Sequence, residues 1–266
     1  SDLSSTDEIL LSTYVCHPSM ANNELSGPII ATFLAKWIAN AEHKYTYRII
    51  FVPETIGTIV YLSRHLEHLQ RHVRAGFVLT CCGDEGPFSY MPSRTGSTYA
   101  DKIARRVLSR HQPNFVSYTF LQRGSDERQY CSPLVDLPVA SVMRSKYHVY
   151  PEYHTSADDL SYVTATGLGE TLGLYSEIVR ELEHNEIYLA TTRGEPQLGK
   201  RGLYPNVGGQ VDQQSVSAII DLLAYADGSN DIAEIASLAG HELPTLQRLA
   251  DVLVEHGLLT TPRLRD

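Results

Sequence analysis

Four runs of the chain are apolar almost without interruption: "EILLSTYVC" at 8–16, "YRIIFVP" at 47–53, "AGFVLTCC" at 75–82 and "LPVASVMR" at 137–144. None shows the strict alternation of a strand with one wet face. Strands apolar on both faces belong to a sheet covered by helices on both sides. Helical patterns lie between them. Ser26 offers an N-cap and Pro28 suits a first turn; Ile29, Ile30, Phe33, Leu34, Trp37 and Ile38 then recur at helical spacing, predicting a helix over 27–40. Further helices are predicted at 57–71, 99–111 and 165–184, and a further strand at 116–121. The expected fold class is α/β, a three-layer mixed sheet with helices on both faces.

The first domain is expected over 1–192. Residues 193–213, rich in Gly, Pro and polar residues without a period, read as a linker. Three short helical patterns and a strand over 214–266 then resemble a winged helix. That shape suggests DNA, but from Gln210 to the end there are nine acids, three arginines and no lysine. Phosphate contacts dominate DNA affinity, so the module is expected to pack or to contact protein, as in a homo-oligomer, and not to bind nucleic acid. The whole chain carries a formal net charge of −9, which argues in the same direction and against an anionic membrane. No apolar run approaches a membrane span of roughly 20 residues. Four cysteines without zinc-ribbon spacing suggest free thiols in a cytoplasmic protein. A strand beginning at residue 8 is an abrupt start, and further N-terminal sequence is expected.

Ligands of open α/β sheets bind beyond the carboxyl ends of the strands, and polar residues crowd there. His17 follows the first strand, Glu54 the second and Asp84 the third. "QRGSDER" with Asp126, Glu127 and Arg128 follows the fourth, and "SKYHVYPEYHTSADD" with His154 follows the last. Two imidazoles and a carboxylate, His17, His154 and Asp84, suit a zinc that keeps a position open for water. Glu54 would be the general base. Such donors also suit iron or manganese. Asn22 and Glu85 are candidate ligands or turn residues. Arg128 or Arg144 could pair with a substrate carboxylate, Asp126 or Glu127 could hold an amine, and Tyr153 could stabilise an oxyanion. His65, His68 and His72 share a helix face that solvation explains. Cys16 and His17 are expected to point apart, as strand neighbours do.

The stretches "CHPSMANNELSGP", "FVPETIG", "GDEGPFSY", "RGSDERQYCSP" and "RSKYHVYPEYHTSADDL" resemble a bacterial family of aminopeptidase-like proteins of poorly known function, whose members end in a winged helix. Their order is that of the zinc aminopeptidase and glutaminyl cyclase fold. The resemblance implies His17, Asp84 and His154 as metal ligands and Glu54 as base. It also implies two losses: Asn22 stands where an aspartate would bridge two metals, and Thr55 replaces the second glutamate of a pair. Neutral residues cannot balance two dications about 4 Å apart, so one zinc per chain is expected. The expected activity is hydrolysis of an amide or peptide-like bond in a peptide or small-molecule substrate. Single-metal acyl transfer or cyclisation is the first alternative, a non-catalytic peptidase-like scaffold the second.

Overall fold

In the computed structural model, residues 6–203, 206–207 and 210–262 are described. The chain divides between Glu183 and His184 into two compact units. The first is built on a six-stranded sheet of β1 (Glu8–Tyr14), β2 (Thr46–Val52), β3 (Val73–Leu79), β4 (Ser89–Met91), β5 (Val116–Ser117) and β6 (Val139–Met143), in the order β2-β1-β3-β6-β4-β5. β2, β1, β3 and β6 run parallel; β4 lies antiparallel against β6, with β5 parallel to β4 at the edge.

The helices are α1 (Ser26–Ile38), α2 (Ile56–His72), α3 (Tyr99–His111), the single turn α4 (Glu127–Tyr130) and α5 (Ala165–His184). The apolar runs behave as the pattern requires. Every residue of β1, β3 and β6 is buried, while β2, at an edge, is half exposed. Leu10, Tyr14 and Val78 cluster with Leu62 and Leu69 of α2. Phe77, pointing the opposite way, meets the Tyr175 ring of α5 edge-on at 6.1 Å.

Three local features differ from the sequence expectation. Ser26 does not cap α1: the helix is entered through a π turn, Ala21–Leu25, and Ser26 is already helical. Its hydroxyl instead donates to the Asn22 carbonyl and accepts from the Cys82 amide, tying α1 to the end of β3. Gly27 permits that approach, since a Cβ there would lie 2.2 Å from the Leu79 carbonyl oxygen. The strand expected over 116–121 is only two residues long and runs into a 3-10 turn at Phe120–Gln122. The three histidines of α2 are absorbed structurally: His68 bonds Glu8 at 2.8 Å and lies beside His72, while His65 lies beside Tyr61.

The second unit places α6 (Gln213–Tyr225), α7 (Ile232–Ala239) and α8 (Leu243–Glu255) with a small sheet in which β7 (Ile187–Ala190) lies between β10 (Asp227–Asp231) and β11 (Leu259–Thr260). A further two-residue pair joins β8 (Asn206–Val207) to β9 (Gln210–Val211). α7 opens on an Asp231–Glu234 capping box and closes at Gly240, whose φ of 71° a side chain would resist. The division thus falls earlier than the expected boundary at 192, because β7 pairs within this unit. The stretch expected as a linker over 193–213 also contributes: Leu198 and Leu203 are buried with Ile219, Leu222, Leu246 and Leu253. Among the described residues no helix is long and apolar enough to cross a membrane.

Candidate active site

The register of the parallel strands brings their carboxyl ends level. Tyr14 lies across from Val52, Thr13 across from Leu79, and Val78 across from Ser141. The loops that leave these ends carry the candidate residues, and they form two corners.

In the first corner everything is closed by hydrogen bonds. Asp84, 2% exposed, accepts from Asn22 Nδ2 at 2.9 Å, from the Gly86 amide at 2.7 Å and from the Ser145 hydroxyl at 2.7 Å. The Asn22 carboxamide is engaged at its other end by the Gly83 amide at 2.8 Å. Asp158, fully buried, accepts from the Asn22 amide at 2.6 Å, the Asn23 amide at 3.1 Å and the Tyr150 hydroxyl at 3.0 Å, which fixes the π turn. The sequence expectation grouped Asp84 with His17 and His154. Among the described residues Asp84 belongs to no group of three His, Cys, Asp or Glu ligand atoms within 4.8 Å of one another, and its oxygens accept from Asn22, Gly86 and Ser145. Asn22 shapes this corner, and Glu85 is an exposed turn residue.

The second corner is open. His17 and His154 lie with ring centroids 4.4 Å apart. His17 Nδ1 is 3.0 Å from Glu24 Oε1, and the Cys16 amide donates to Glu24 Oε2 at 2.6 Å. His154 Nε2 is 3.2 Å from Asn23 Oδ1, and Tyr153 stacks on the His154 ring at 3.9 Å. Glu24 is 2% exposed; its burial pushes its carboxyl up, against the pull of His17 and the Cys16 amide. Burial and the neighbouring His17 push His154 down, favouring the neutral ring a metal needs. Among the described residues, one group of His, Cys, Asp or Glu side chains brings three ligand atoms within 4.8 Å of one another, and it is Cys16, His17 and Glu24. With the second imidazole alongside, the donors are of the kinds that zinc accepts.

Glu24 is the residue that the sequence reading passed over. It is the one carboxylate in "MANNELSG", two positions beyond Asn22 and not at a strand end.

Glu54 sits at the end of β2, half-buried, and accepts from the Ser125 hydroxyl at 3.2 Å. Burial raises its carboxyl, and so does the charge of Glu24. Its position depends on a strained turn. Thr55 has φ 60° and ψ −66°, unusual for a β-branched residue. The Thr55 amide donates to Asp126 Oδ1 at 2.7 Å, and the Thr55 hydroxyl accepts from Arg128 at 2.7 Å. His154, with φ 57°, is a second left-handed residue at the site.

The residues expected to bind substrate divide sharply. Asp126 is fully buried and holds Thr55; Glu127 is fully buried and accepts from the Gly124 and Ser125 amides and the Tyr147 hydroxyl. Arg144 is 4% exposed, donates to the Gly86 carbonyl and Glu170, and lies over Phe88. All three are buried and engaged by partners within the unit. Arg128 is exposed beside Glu54, and Tyr153 is half-buried over His154, so both remain accessible.

A family model described as a domain of unknown function (DUF4910) matches residues 2–185, and one described as a winged helix-turn-helix matches residues 186–261. A protein of Clostridium acetobutylicum, provisionally named for polysaccharide biosynthesis with an aminopeptidase-like domain, is 42% identical over 255 residues, 95% of this chain and 58% of that protein. The crystal structure of a C. acetobutylicum protein, provisionally described as a peptidase, aligns with a TM-score of 0.71 at 40% identity, over 96% of this chain and 58% of that one. The chain therefore spans under two thirds of the length of these two relatives. A zinc aminopeptidase of Bacillus subtilis aligns with a TM-score of 0.55 at 19% identity, over 68% of this chain and 48% of that one. A glutaminyl cyclase of Bacteroides thetaiotaomicron, bound to N-acetylhistamine, gives 0.53 at 15% identity, over 67% of this chain and 73% of that one. At such identities the last two establish the fold alone. An aminopeptidase-like sheet, matched over residues 2–185 and followed by a winged helix, places this chain in the DUF4910 family.

Proposed function

We propose that the first unit is a metal-dependent hydrolase of amide or peptide-like bonds, working with a single zinc. The observation that supports it most is the open corner: His17 bonded to the buried carboxylate of Glu24, with His154 against it. His17, Glu24 and His154 would hold the metal, Glu24 taking the part expected of Asp84. When bound, the metal would polarise the substrate carbonyl and lower the pKa of a water. Glu54 is the base. Burial and the charge of Glu24 raise the proton affinity of its carboxyl, as suits a base, and Ser125 holds one oxygen. It would take the proton of the attacking water and return it to the leaving amine. Arg128, tethered to Thr55 and exposed, would receive a substrate carboxylate. Tyr153 limits the space beside His154.

Metal analysis tests this reading. One zinc per chain after stripping and reloading, lost in His17→Ala, supports it, and hydrolysis of aminoacyl anilides that requires Glu54 completes it. A chain that binds no zinc after careful loading is a scaffold and not this enzyme. The acidic winged helix is proposed as a protein-contact module, including contact with a second copy. Tight binding of duplex DNA at physiological salt would overturn that assignment.

A further inference from the structure

The Cys16 thiol has no part in the reading above. Strand neighbours point apart, but β1 ends at Tyr14, and residues 15–17 are irregular. Released from the pleat, Cys16 and His17 turn to the same carboxylate. Cys16 Sγ, a His17 ring nitrogen and a Glu24 carboxylate oxygen all lie within 4.8 Å of one another. The Cys16 amide fixes the arrangement: it donates to Glu24 Oε2 at 2.6 Å and leaves Oε1 toward His17 at 3.0 Å. The carboxylate side of the group is buried and the thiol side is exposed, so an ion could enter past Cys16.

We propose that Cys16 is itself a metal ligand, and that the donor set is sulfur from Cys16, nitrogen from His17 and oxygen from Glu24, with the fourth position left to His154 or water. This rests on the single-metal reading and changes its chemistry. On coordination the S–H bond is replaced by a sulfur–metal bond, the proton passes to solvent, and the sulfur keeps its oxidation state. A thiolate donor favours zinc over magnesium, calcium or manganese, and so narrows a choice that imidazole and carboxylate leave open. Cys81, Cys82 and Cys131 are buried, so a sulfur seen at the metal would come from Cys16.

The test is X-ray absorption on the full chain, stripped with chelator and reloaded with zinc. The expected spectrum has one sulfur scatterer at about 2.3 Å beside nitrogen and oxygen at about 2.0–2.2 Å. Cys16→Ser, at an exposed position, is expected to fold, to lose the sulfur shell, and to bind zinc roughly tenfold or more weakly, at least the loss seen for outer-shell partners. In the cobalt-loaded chain the same substitution removes a thiolate-to-cobalt charge-transfer band. A shell of nitrogen and oxygen only, with affinity unchanged in Cys16→Ser, overturns the assignment of Cys16 and leaves the hydrolase reading intact. No bound zinc in either protein overturns both.

Discussion

The two corners of the site descend from one loop and have opposite characters. In the corner of Asn22, Asp84 and Asp158, carboxylates and amides satisfy one another out of contact with solvent. In the corner of His17, Glu24 and His154, donors face one another with an imidazole exposed and few fixed partners. A single change accounts for much of the difference. An amide at position 22 gives Asp84 a hydrogen-bond donor where a second carboxylate would give it a like charge. The closed corner then needs no cation, whereas the open one still gathers donors that a cation would unite.

That contrast can be broken experimentally. The largest expected effect is on catalysis at the open corner. Glu54→Gln is expected to lower kcat by roughly 10²–10⁴-fold with zinc stoichiometry unchanged; a variant that also loses its metal would make Glu54 a ligand and not the base. Next comes stability at the closed corner. Asp84→Ala strands the donors of Asn22, Gly86 and Ser145, and is expected to cost about 2–4 kcal/mol in urea unfolding, while the folded variant keeps its zinc. The reverse pattern, stability kept and zinc lost, would return Asp84 to the metal.

The third test concerns Asp126, behind the Thr55 turn, whose burial holds its carboxyl at about 6. An acid raised on folding is accommodated best when protonated. Its stabilising contribution is full below about pH 4 and is lost as the pH rises through about 6, amounting to about 3 kcal/mol by neutrality. Asp126→Asn keeps an acceptor for the Thr55 amide and is expected to flatten that part of the stability–pH curve. An unchanged slope would locate the titration elsewhere. The smallest effect is expected from Asn22→Asp, which sets a carboxylate against Asp84. Stability is expected to fall by about 1–2 kcal/mol at neutral pH and to recover in excess zinc as a second ion binds. A variant as stable as the parent without metal would show that the amide proton is not what closes the corner.

Much of this was legible in the chain. Uninterrupted apolar runs marked β1, β3 and β6, and helical spacing marked α1, α2 and α5 within a residue or two. β4 was not legible, since "SYM" is too short to carry a period. β7 was missed because its partners, β10 and β11, lie far along the chain. At the candidate site, the meeting of His17 and His154 agrees with their places after strands. The engagement of Asp84 by Asn22, Gly86 and Ser145 could not be read there, because it is decided by which donors surround its oxygens. Arg144 and Asp126 looked like substrate contacts because charge in a loop suggests solvent; their burial follows from the packing of Phe88 and the Thr55 turn.

The π turn at Ala21–Leu25 has a consequence for what the loop can tolerate. Such a turn holds one residue more than an α-turn, and an α-helix advances about 100° per residue. Deleting any one residue there would leave a regular helix of better intrinsic geometry. It would also swing the incoming chain by more than a quarter of a circle and carry Glu24 out of phase with Cys16 and His17. Substitutions within 21–25 are therefore graded in their effect, but changes of length are all-or-none: the site is written in the count of residues as much as in their identities.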